Sequence, residues 1–284
     1  MKVLEQGLFT GERALYNSRE LKIVDSTFAD GESPLKESAN IELYGSIFKW
    51  KYPLWYCSDI KAVDTVLLET ARSGIWYTKN IYMRDCVIEA PKTFRRAEKI
   101  KLENCNMPNA LETLWNCKDI SLKNVTAKGD YFGMGAENVY AENFTLDGNY
   151  AFDGAKNIEI RNAKLISKDS FWNVENAVVY DSVIIGEYIG WNSKNLTFIN
   201  CTVESNQGFC YIENLKLENC KLLNADLAFE FSTVDATVTT EIDSVKNPIS
   251  GRIEAKAIKE LILEQTLIDP AKTEITTADS LVKK

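Results

Sequence analysis

The sequence predicts an all-β protein, a single-stranded right-handed parallel β-helix with about 12 coils of ~19 residues and a C-terminal cap. A repeat of nearly constant length is the first observation behind this prediction. Its clearest copy lies between Asn195 and Cys220, where NLTFINC returns as NLKLENC. A unit this short cannot bury its own apolar face, whereas stacked copies can. The right hand follows the general preference of parallel crossovers.

Alternation of apolar and polar residues within each unit is the second observation. Each unit begins at an apolar residue, here called the anchor, and the residue two positions later is usually apolar as well, as in Ile158 and Ile160. This is the period of a β-strand. Successive anchors lie 19 to 21 residues apart, at Leu21, Ile41, Ile60, Ile81, Ile100, Ile120, Val139, Ile158, Ala177, Leu196, Leu215 and Val234.

A polar residue followed by a small one is the third observation. Four residues after the anchor most units have Asp or Asn, as at Asn104 and Asn200, and the next residue is small, as at Cys105 and Cys201. We expect an outer ladder of polar side chains that bond backbone groups at a turn. We also expect an inner ladder of small side chains, and we interpret both ladders as structural.

The two ends of the chain differ in how well they fit the repeat. Upstream of Leu21 the segment GERALY keeps the register, whereas after Val234 the repeat weakens. The sequence therefore predicts a β-helix over residues 1–242 and, over residues 243–284, a loop, capping strands and a tail of the same domain. DSVKNPISG (243–251) is predicted to be a turn-rich loop. RIEAKAIKELILEQ is predicted to form irregular strands or a short helix that covers the open sheet edge, and TADSLVKK a frayed tail.

Charge and composition exclude several classes of function. The net charge is −8 and the pI about 4.9, which argues against a nucleic-acid partner because phosphate binding needs a basic surface. The chain has no histidine, which excludes Ser-His-Asp catalysis and histidine-based metal sites. No apolar stretch is long enough to span a membrane. The first residues lack the apolar core of a secretory signal, so we expect a cytoplasmic protein.

The seven cysteines are expected to be reduced and packed in the interior. Their number is odd and no CxxC motif occurs, so neither a disulfide framework nor a zinc site is predicted. We expect no metal and no cofactor.

An acidic surface is the first candidate site. Residues nine, eight, five and four positions before each anchor should point outward on one face. Asp153, Asp169 and Glu187 are the candidate catalytic acids or bases, since glycoside hydrolysis needs two carboxyl groups about 5–9.5 Å apart. Trp172 and Trp191 are candidate platforms for sugar rings. Alternatively, the acids only make the surface soluble and the rings only pack against each other.

A surface of mixed charge near the N-terminus is the second candidate site. Its cations, beside aromatic rings, could hold an anion such as a uronate or a phosphate. Arg72 and Arg95 would be the anion binders of a lyase. Alternatively, the charges form salt bridges between coils, each worth under about 1 kcal/mol. The candidate ligand-binding residues are Glu12, Arg13, Glu32, Lys36, Arg72 and Arg95.

Six segments resemble an uncharacterised bacterial family, domain of unknown function 3737. They are GERALY, DGESPLKE, KYPLW, GWNSKNLTFINC, LAFEFS and DSVKNPISG. The resemblance covers almost the whole chain and implies a right-handed β-helix of the pectin-lyase-like group. It implies no activity and no catalytic residues. The adjacent Asp pair and Gly-His-Gly motif of polygalacturonase-like hydrolases are missing, and so is an Asp cluster like that of the pectate lyases.

Two hypotheses about function remain open. In the first, the protein binds or cleaves an oligosaccharide or an anionic small molecule, as a binding protein, a glycoside hydrolase or a polysaccharide lyase. In the second, it is a non-catalytic rigid scaffold or interaction module. A groove with unpaired carboxylates would favour the first hypothesis, and paired charges with closely packed aromatic rings would favour the second. The oligomeric state is left open.

Overall fold

The structure is a computed structural model that describes residues 1–278. It divides into two units, residues 1–147 and residues 148–284, which are described separately below. Both units consist of parallel strands stacked at intervals of ~19 residues, with almost no helix. The predicted all-β parallel β-solenoid is therefore confirmed, whereas its right hand and the domain boundary at residue 242 stay predictions.

The first unit contains strands of 2 to 11 residues, with one 3₁₀ turn at Glu69–Ala71. In chain order its strands are β1 (Lys2–Glu5), β2 (Leu8–Phe9), β3 (Arg19–Val24), β4 (Thr27–Phe28), β5 (Ala39–Tyr44), β6 (Ile47–Phe48), β7 (Ser58–Val63), β8 (Val66–Leu67), β9 (Ile75–Trp76), β10 (Lys79–Arg84), β11 (Val87–Ile88), β12 (Phe94–Arg95), β13 (Glu98–Glu103), β14 (Asn106–Met107), β15 (Lys118–Lys128) and β16 (Glu137–Asp147).

The second unit follows the same plan, with a 3₁₀ turn at Pro270–Lys272. Its strands are β17 (Lys156–Arg161), β18 (Lys164–Ile166), β19 (Glu175–Tyr180), β20 (Val183–Ile185), β21 (Lys194–Ile199), β22 (Thr202–Glu204), β23 (Glu213–Leu223), β24 (Thr233–Lys246), β25 (Ser250–Ile262) and β26 (Thr273–Thr277).

The strands pair in parallel with the register that the anchors predict. In the first unit Ile60 of β7 pairs with Ile81 of β10, and Ile81 pairs with Ile100 of β13. In the second unit Ala177 of β19 pairs with Leu196 of β21, and Leu196 pairs with Leu215 of β23. Within each unit an anchor therefore lies directly beside the anchor of the next coil, and positions in the repeat become ladders.

Apolar and small side chains fill the interior, as the repeat predicts. Phe28 stacks on Phe48 with ring centroids 4.5 Å apart, and both rings are buried. Cys105 and Cys201 are buried free thiols whose Sγ atoms donate to backbone carbonyls. Burial raises the pKa of the Cys57 thiol to about 12, so this thiol stays protonated and unreactive. The predicted structural role of the cysteines is confirmed.

Asparagine and aspartate occupy corners where the backbone is left-handed. Asn104 has a φ of 52° and its Nδ2 donates to Asp85 over 2.9 Å. Asn200 has a φ of 54° and donates to Asp181 over 3.0 Å. These residue types tolerate left-handed backbone better than others do. Immediately before the anchors a second amide ladder runs through Asn195, which the sequence analysis missed although its period is the same.

The C-terminal part of the second unit departs from the prediction. The described residues contain about 15 turns rather than 12, because β1 precedes the first anchor and β25 and β26 follow the last. Val234 pairs with Gly251, and Gly251 pairs with Thr273, so the spacing changes to 17 and then 22 residues. A search at a constant period of 19 could not find these two turns.

One predicted C-terminal feature is wrong. The segment 243–251 is not a turn-rich loop, since β24 continues to Lys246 and β25 begins at Ser250. RIEAKAIKELILEQ forms a strand, one of the two alternatives. Residues 251–255 of β25 pair on both sides, whereas residues 257–262 pair with β24 alone among the described residues, and the capping role stays a prediction. In the predicted tail, Thr277 belongs to β26, and residues 279–284 lie outside the described residues.

Candidate functional site

The candidate catalytic carboxylates of the second unit have different neighbours and different places in the repeat. Asp153 accepts a hydrogen bond from Asn173 Nδ2 over 2.9 Å. Glu187 forms an ion pair of 3.4 Å with Lys168. Asp153 lies five residues before its anchor and Glu187 nine before its own, so the two belong to different ladders. Both carboxylates are engaged by protein groups, and their catalytic roles stay predictions.

Asp169 is the carboxylate whose environment is unusual. It is only 4% exposed, and it has a left-handed φ of 55°. Burial raises the pKa of its carboxyl group, and so does the charge of Glu187, whereas Lys168 lowers it. Within residues 148–278 its carboxylate accepts no hydrogen bond. A buried acid with a raised pKa is a typical general acid, but it needs a second group and room for a substrate.

The tryptophans of the second unit pack along a ladder. The rings of Trp172 and Trp191 lie 6.3 Å apart, and Trp191 lies 4.6 Å from Tyr211. The indole N–H of Trp172 donates to the carbonyl oxygen of Tyr188 over 3.0 Å. These rings contact one another rather than standing apart as platforms.

An open depression of about 250 Å³ lies beside Glu187. Glu204 is also in its wall, where it accepts a hydrogen bond from Asn224 Nδ2 over 2.8 Å. The depression thus contains two carboxylates, each already bonded to a protein group. Neither Asp153 nor Asp169 lines it. Two of the three candidate acids thus lie outside this depression.

The outward residues of four coils in the first unit form what we call the aromatic–cationic face. It contains five cations, six aromatic residues and one acid, in a chain whose net charge is −8. Its members lie nine, eight, five and four residues before Ile60, Ile81, Ile100 and Ile120: Lys51, Tyr52, Trp55, Tyr56, Arg72, Ser73, Trp76, Tyr77, Pro91, Lys92, Arg95, Arg96, Leu111, Glu112, Trp115 and Asn116.

A ladder of three tryptophans and one arginine runs along this face. Trp55 and Trp76 stack with centroids 5.2 Å apart and planes inclined by 8°. The guanidinium carbon of Arg95 lies 4.7 Å from the Trp76 ring centre and 4.5 Å from that of Trp115. Arg95 therefore lies between two indole rings, an arrangement worth about 1–2 kcal/mol for each partly buried contact. The Nε atom of Arg95 is buried and has no hydrogen-bond partner among the described residues.

A second ladder runs beside the first. Tyr56 stacks on Tyr77 with centroids 4.8 Å apart, and Arg96 lies 6.0 Å from the Tyr77 ring. On the preceding coil Lys36 lies 5.6 Å from the Tyr56 ring and 3.9 Å from Glu37. Tyr56, Tyr77 and Arg96 thus take the repeat position, four residues before the anchor, that Asn173 and Asn192 occupy in the second unit.

Charged residues line one edge of the face on consecutive coils, and we call this edge the cationic rim. Lys51 pairs with Glu32 of the preceding coil over 3.1 Å. At the other end Glu112 forms ion pairs with Lys92, at 3.0 Å, and with Arg95, at 3.4 Å. Between them Arg72 is exposed, and its side chain has no hydrogen bond, ion pair or ring contact within residues 1–278.

The other predicted ligand-binding residues of the first unit lie on earlier coils. Arg13 lies 5.5 Å from the ring of Tyr16, whose hydroxyl donates to Glu37 over 2.7 Å. Glu12 is exposed. The structure thus separates Glu12 and Arg13 from Arg72 and Arg95, and the ligand-binding roles of all four stay predictions.

Sequence reasoning missed several residues of this face. Lys92, Glu112 and Trp115 were not among the candidates, although Trp115 lies five residues before its anchor, as Trp55 and Trp76 do. Reading each repeat position down all coils would have found the ladder. Pairing between particular charges depends on contacts across coils and could not be read in this way.

The described residues contain no group of three or more side chains arranged to hold a metal ion. Their only helices are the two 3₁₀ turns, and neither could cross a membrane.

Comparison with known proteins assigns the chain to a family. The family model described as "Protein of unknown function (DUF3737)" matches residues 2–276. No curated protein matches the chain significantly. Two matching solved structures are of QnrB1, a plasmid-mediated fluoroquinolone resistance protein. The full-length protein is 16% identical over 78% of this chain and 94% of QnrB1, with a TM-score of 0.25. A trypsin-treated variant is 13% identical over 78% and 92%, with a TM-score of 0.26. At these scores the likeness supports no argument about fold or function.

Proposed function

The chain belongs to the DUF3737 family of proteins of unknown function, and we propose that it is a non-catalytic interaction module. In this proposal the solenoid is a rigid frame, and the aromatic–cationic face binds a partner protein. The observation that supports it most is that two of the three candidate catalytic acids, and the candidate platform tryptophans, are engaged internally. Asp153 and Glu187 are bonded, and the tryptophans pack on one another.

The composition of the aromatic–cationic face supports a protein partner. Tryptophan, tyrosine and arginine are the residues that contribute most binding energy at protein–protein interfaces. Three of the six tryptophans of the chain lie on this face, together with three of its arginines. Because stacking between coils holds these side chains in place, they lose little conformational entropy on binding.

A glycan-binding or glycan-cleaving function, with the pectin-lyase-like grouping that suggested it, has less support. A sugar ring stacks on an exposed aromatic face, but Trp76 has Trp55 on one side and Arg95 on the other. A hydrolase needs two free carboxyl groups at a cleft, whereas the acids of the depression beside Glu187 are bonded to protein groups. The expected cytoplasmic location stays a prediction, and the cytoplasm is where we would seek the partner.

Site-specific photo-cross-linking in cells tests this proposal. A photoreactive amino acid replaces Tyr56 on the aromatic–cationic face, and in a second variant it replaces Tyr211. Both tyrosines lie four residues before an anchor and are exposed, by 51% and 41%. We expect discrete cross-linked protein from position 56 and none from position 211. The identified partner, purified, should bind with a saturable isotherm that Trp76→Ala weakens.

Two results would contradict the proposal. One is equal cross-linking from both positions, which indicates non-specific contact. The other is a saturable change in tryptophan fluorescence with an oligosaccharide or uronate, abolished by Trp172→Ala and accompanied by turnover. That result would restore the glycan hypothesis at the second unit.

A further inference from the structure

We infer that the partner presents an acidic segment to the cationic rim, and that Arg72 is the residue that binds its carboxylate. This inference rests on the proposed function and adds the chemistry of the partner. It begins from the order of charges along the rim. Arg72 follows Lys51 and precedes Lys92 on consecutive coils, and the acids lie only at the two ends.

Backbone hydrogen bonds fix these residues side by side. Ser33 N donates to the carbonyl oxygen of Lys51 over 3.1 Å, and Tyr52 N donates to that of Arg72 over 3.3 Å. Ser73 N donates to the carbonyl of Pro91, the residue before Lys92. Coils stacked through such backbone bonds are about 4.8 Å apart, so the backbone of Arg72 lies roughly that far from Lys51 on one side and from Pro91, next to Lys92, on the other. The three cations lie outside the strands, and like charges on neighbouring coils repel each other.

The cations at either end of the rim have acids, whereas Arg72 has none. Glu32 neutralises Lys51, and Glu112 is shared by Lys92 and Arg95. One carboxylate for two cations leaves a surplus of positive charge beside Arg72, whose own guanidinium has no partner within residues 1–278. A carboxylate placed there gains a bidentate partner and relieves the repulsion between the cations.

The floor beside the rim offers an acidic ligand a rigid support but no place for a sugar. The indole N–H of Trp55 donates to the carbonyl of Ser73, next to Arg72, over 2.5 Å. The indole of Trp76 donates to Lys92 over 2.8 Å. These donors cannot bind hydroxyl groups, and both faces of Trp76 are covered. The surface leaves cationic groups and ring edges accessible. The cationic groups match the carboxylates of a protein segment, and the ring edges match its apolar side chains.

A binding experiment with a defined peptide tests this inference. The probe is a short fluorescein-labelled peptide that alternates pairs of glutamate with single phenylalanines, and fluorescence anisotropy at low ionic strength reports binding to the full-length protein. We expect saturable binding that weakens as salt screens the charges. Arg72→Glu should lower the affinity about tenfold. A peptide with glutamine in place of each glutamate should not bind.

Lys164→Glu is the matched control, because Lys164 is exposed in the second unit and also lacks an ion pair within residues 148–278. This substitution reverses the charge of one unpaired cation, and it should change the affinity for the acidic peptide by less than about twofold. Arg72→Lys keeps the charge but not the planar fork, and should give an intermediate affinity. Urea unfolding of each variant separates loss of binding from loss of the fold.

Each other outcome overturns the inference, and the cross-linking experiment separates this from failure of the proposed function. No binding, or equal binding of the glutamine peptide, excludes an acidic segment as the ligand. Full affinity of the Arg72→Glu variant excludes Arg72 as the residue that binds the carboxylate. Polygalacturonate that competes more strongly than the peptide and depends on Arg72 identifies a glycan instead. If the photoreactive residue at position 56 still cross-links specifically, the proposed function as an interaction module remains supported after either of the first two results.

Discussion

The aromatic–cationic face of the first unit and the corresponding acidic face of the second unit use the same four positions of the repeat. On the second unit, asparagines form a ladder in which Asn192 donates to Asn173 and Asn173 donates to Asp153. On the first unit Tyr56, Tyr77 and Arg96 take the position of Asn173 and Asn192, four residues before the anchor. An amide both donates and accepts, so a ladder of amides satisfies itself from coil to coil.

Arginine only donates, so a ladder with arginines cannot satisfy itself in this way. Arg95 forms an ion pair with Glu112 and contacts two indole rings. The guanidinium group of Arg72 has no such partner among the described residues. The two faces occupy the same positions of the repeat, but they differ in how much hydrogen-bonding capacity is left unused. We propose that this remaining capacity is what the partner of the first unit uses.

Replacing one tryptophan on each face should give the largest effects. Trp76→Ala and Trp191→Ala each remove a half-buried ring that contacts at least two neighbours. We expect each to lower the free energy of unfolding by about 2 kcal/mol, measured by urea denaturation. Only Trp76→Ala should also abolish cross-linking from position 56. Loss of cross-linking in both variants would remove the functional difference between the faces.

Asp169→Asn should have a smaller and pH-dependent effect on the acidic face. Burial raises the pKa of Asp169 in the folded state, so the folded protein binds this proton more tightly than the unfolded chain does. The charged side chain therefore costs stability at neutral pH, and this cost disappears as the pH falls through the folded pKa towards the unfolded value. Asparagine tolerates the same left-handed backbone and should raise the free energy of unfolding by about 1 kcal/mol at neutral pH.

Urea unfolding at neutral pH and at about pH 4 checks this effect. The gain should shrink at the lower pH. Asp153→Asn is the control, because that side chain already accepts a hydrogen bond, and it should change stability by less than about 0.5 kcal/mol. An equal gain at both pH values would show that the charge of Asp169 is not its source.

Arg96→Asn should have the smallest effect on stability and would make the first unit resemble the second. Arg96 has a left-handed φ of 48°, and Asn116 occupies the same repeat position on the next coil. Asparagine suits this backbone and could bond Asn116, so we expect a gain of about 0.5 kcal/mol in urea unfolding. Cross-linking from position 56 should decrease at the same time. Arg96→Ala removes the charge without this gain, and a gain of equal size there would refute the amide explanation.

The repeat in the amino-acid sequence is sufficient to predict the architecture of most of this chain. Since the side-chain period of a strand is two and the coil length is near 19, fixing one anchor fixes which residues of every coil face inward. Ile60, Ile81 and Ile100 pair as their spacing predicts. The corner residue Asn104 and the interior Cys105 follow from the same register. The register was lost only where the coil length left the range of 19 to 21 residues, after Val234.

Which outward charges are neutralised depends on contacts that exist only in the folded protein. The sequence places Lys51, Arg72, Lys92 and Glu112 on one edge, but an ion pair forms across coils between flexible side chains. Whether Glu112 reaches Lys92, Arg95 or Arg72 depends on offsets of one residue and on the tryptophans that hold Arg95 in place. Strand period determines which way a side chain points, whereas its partner depends on the distance to a neighbouring coil, which no periodicity encodes.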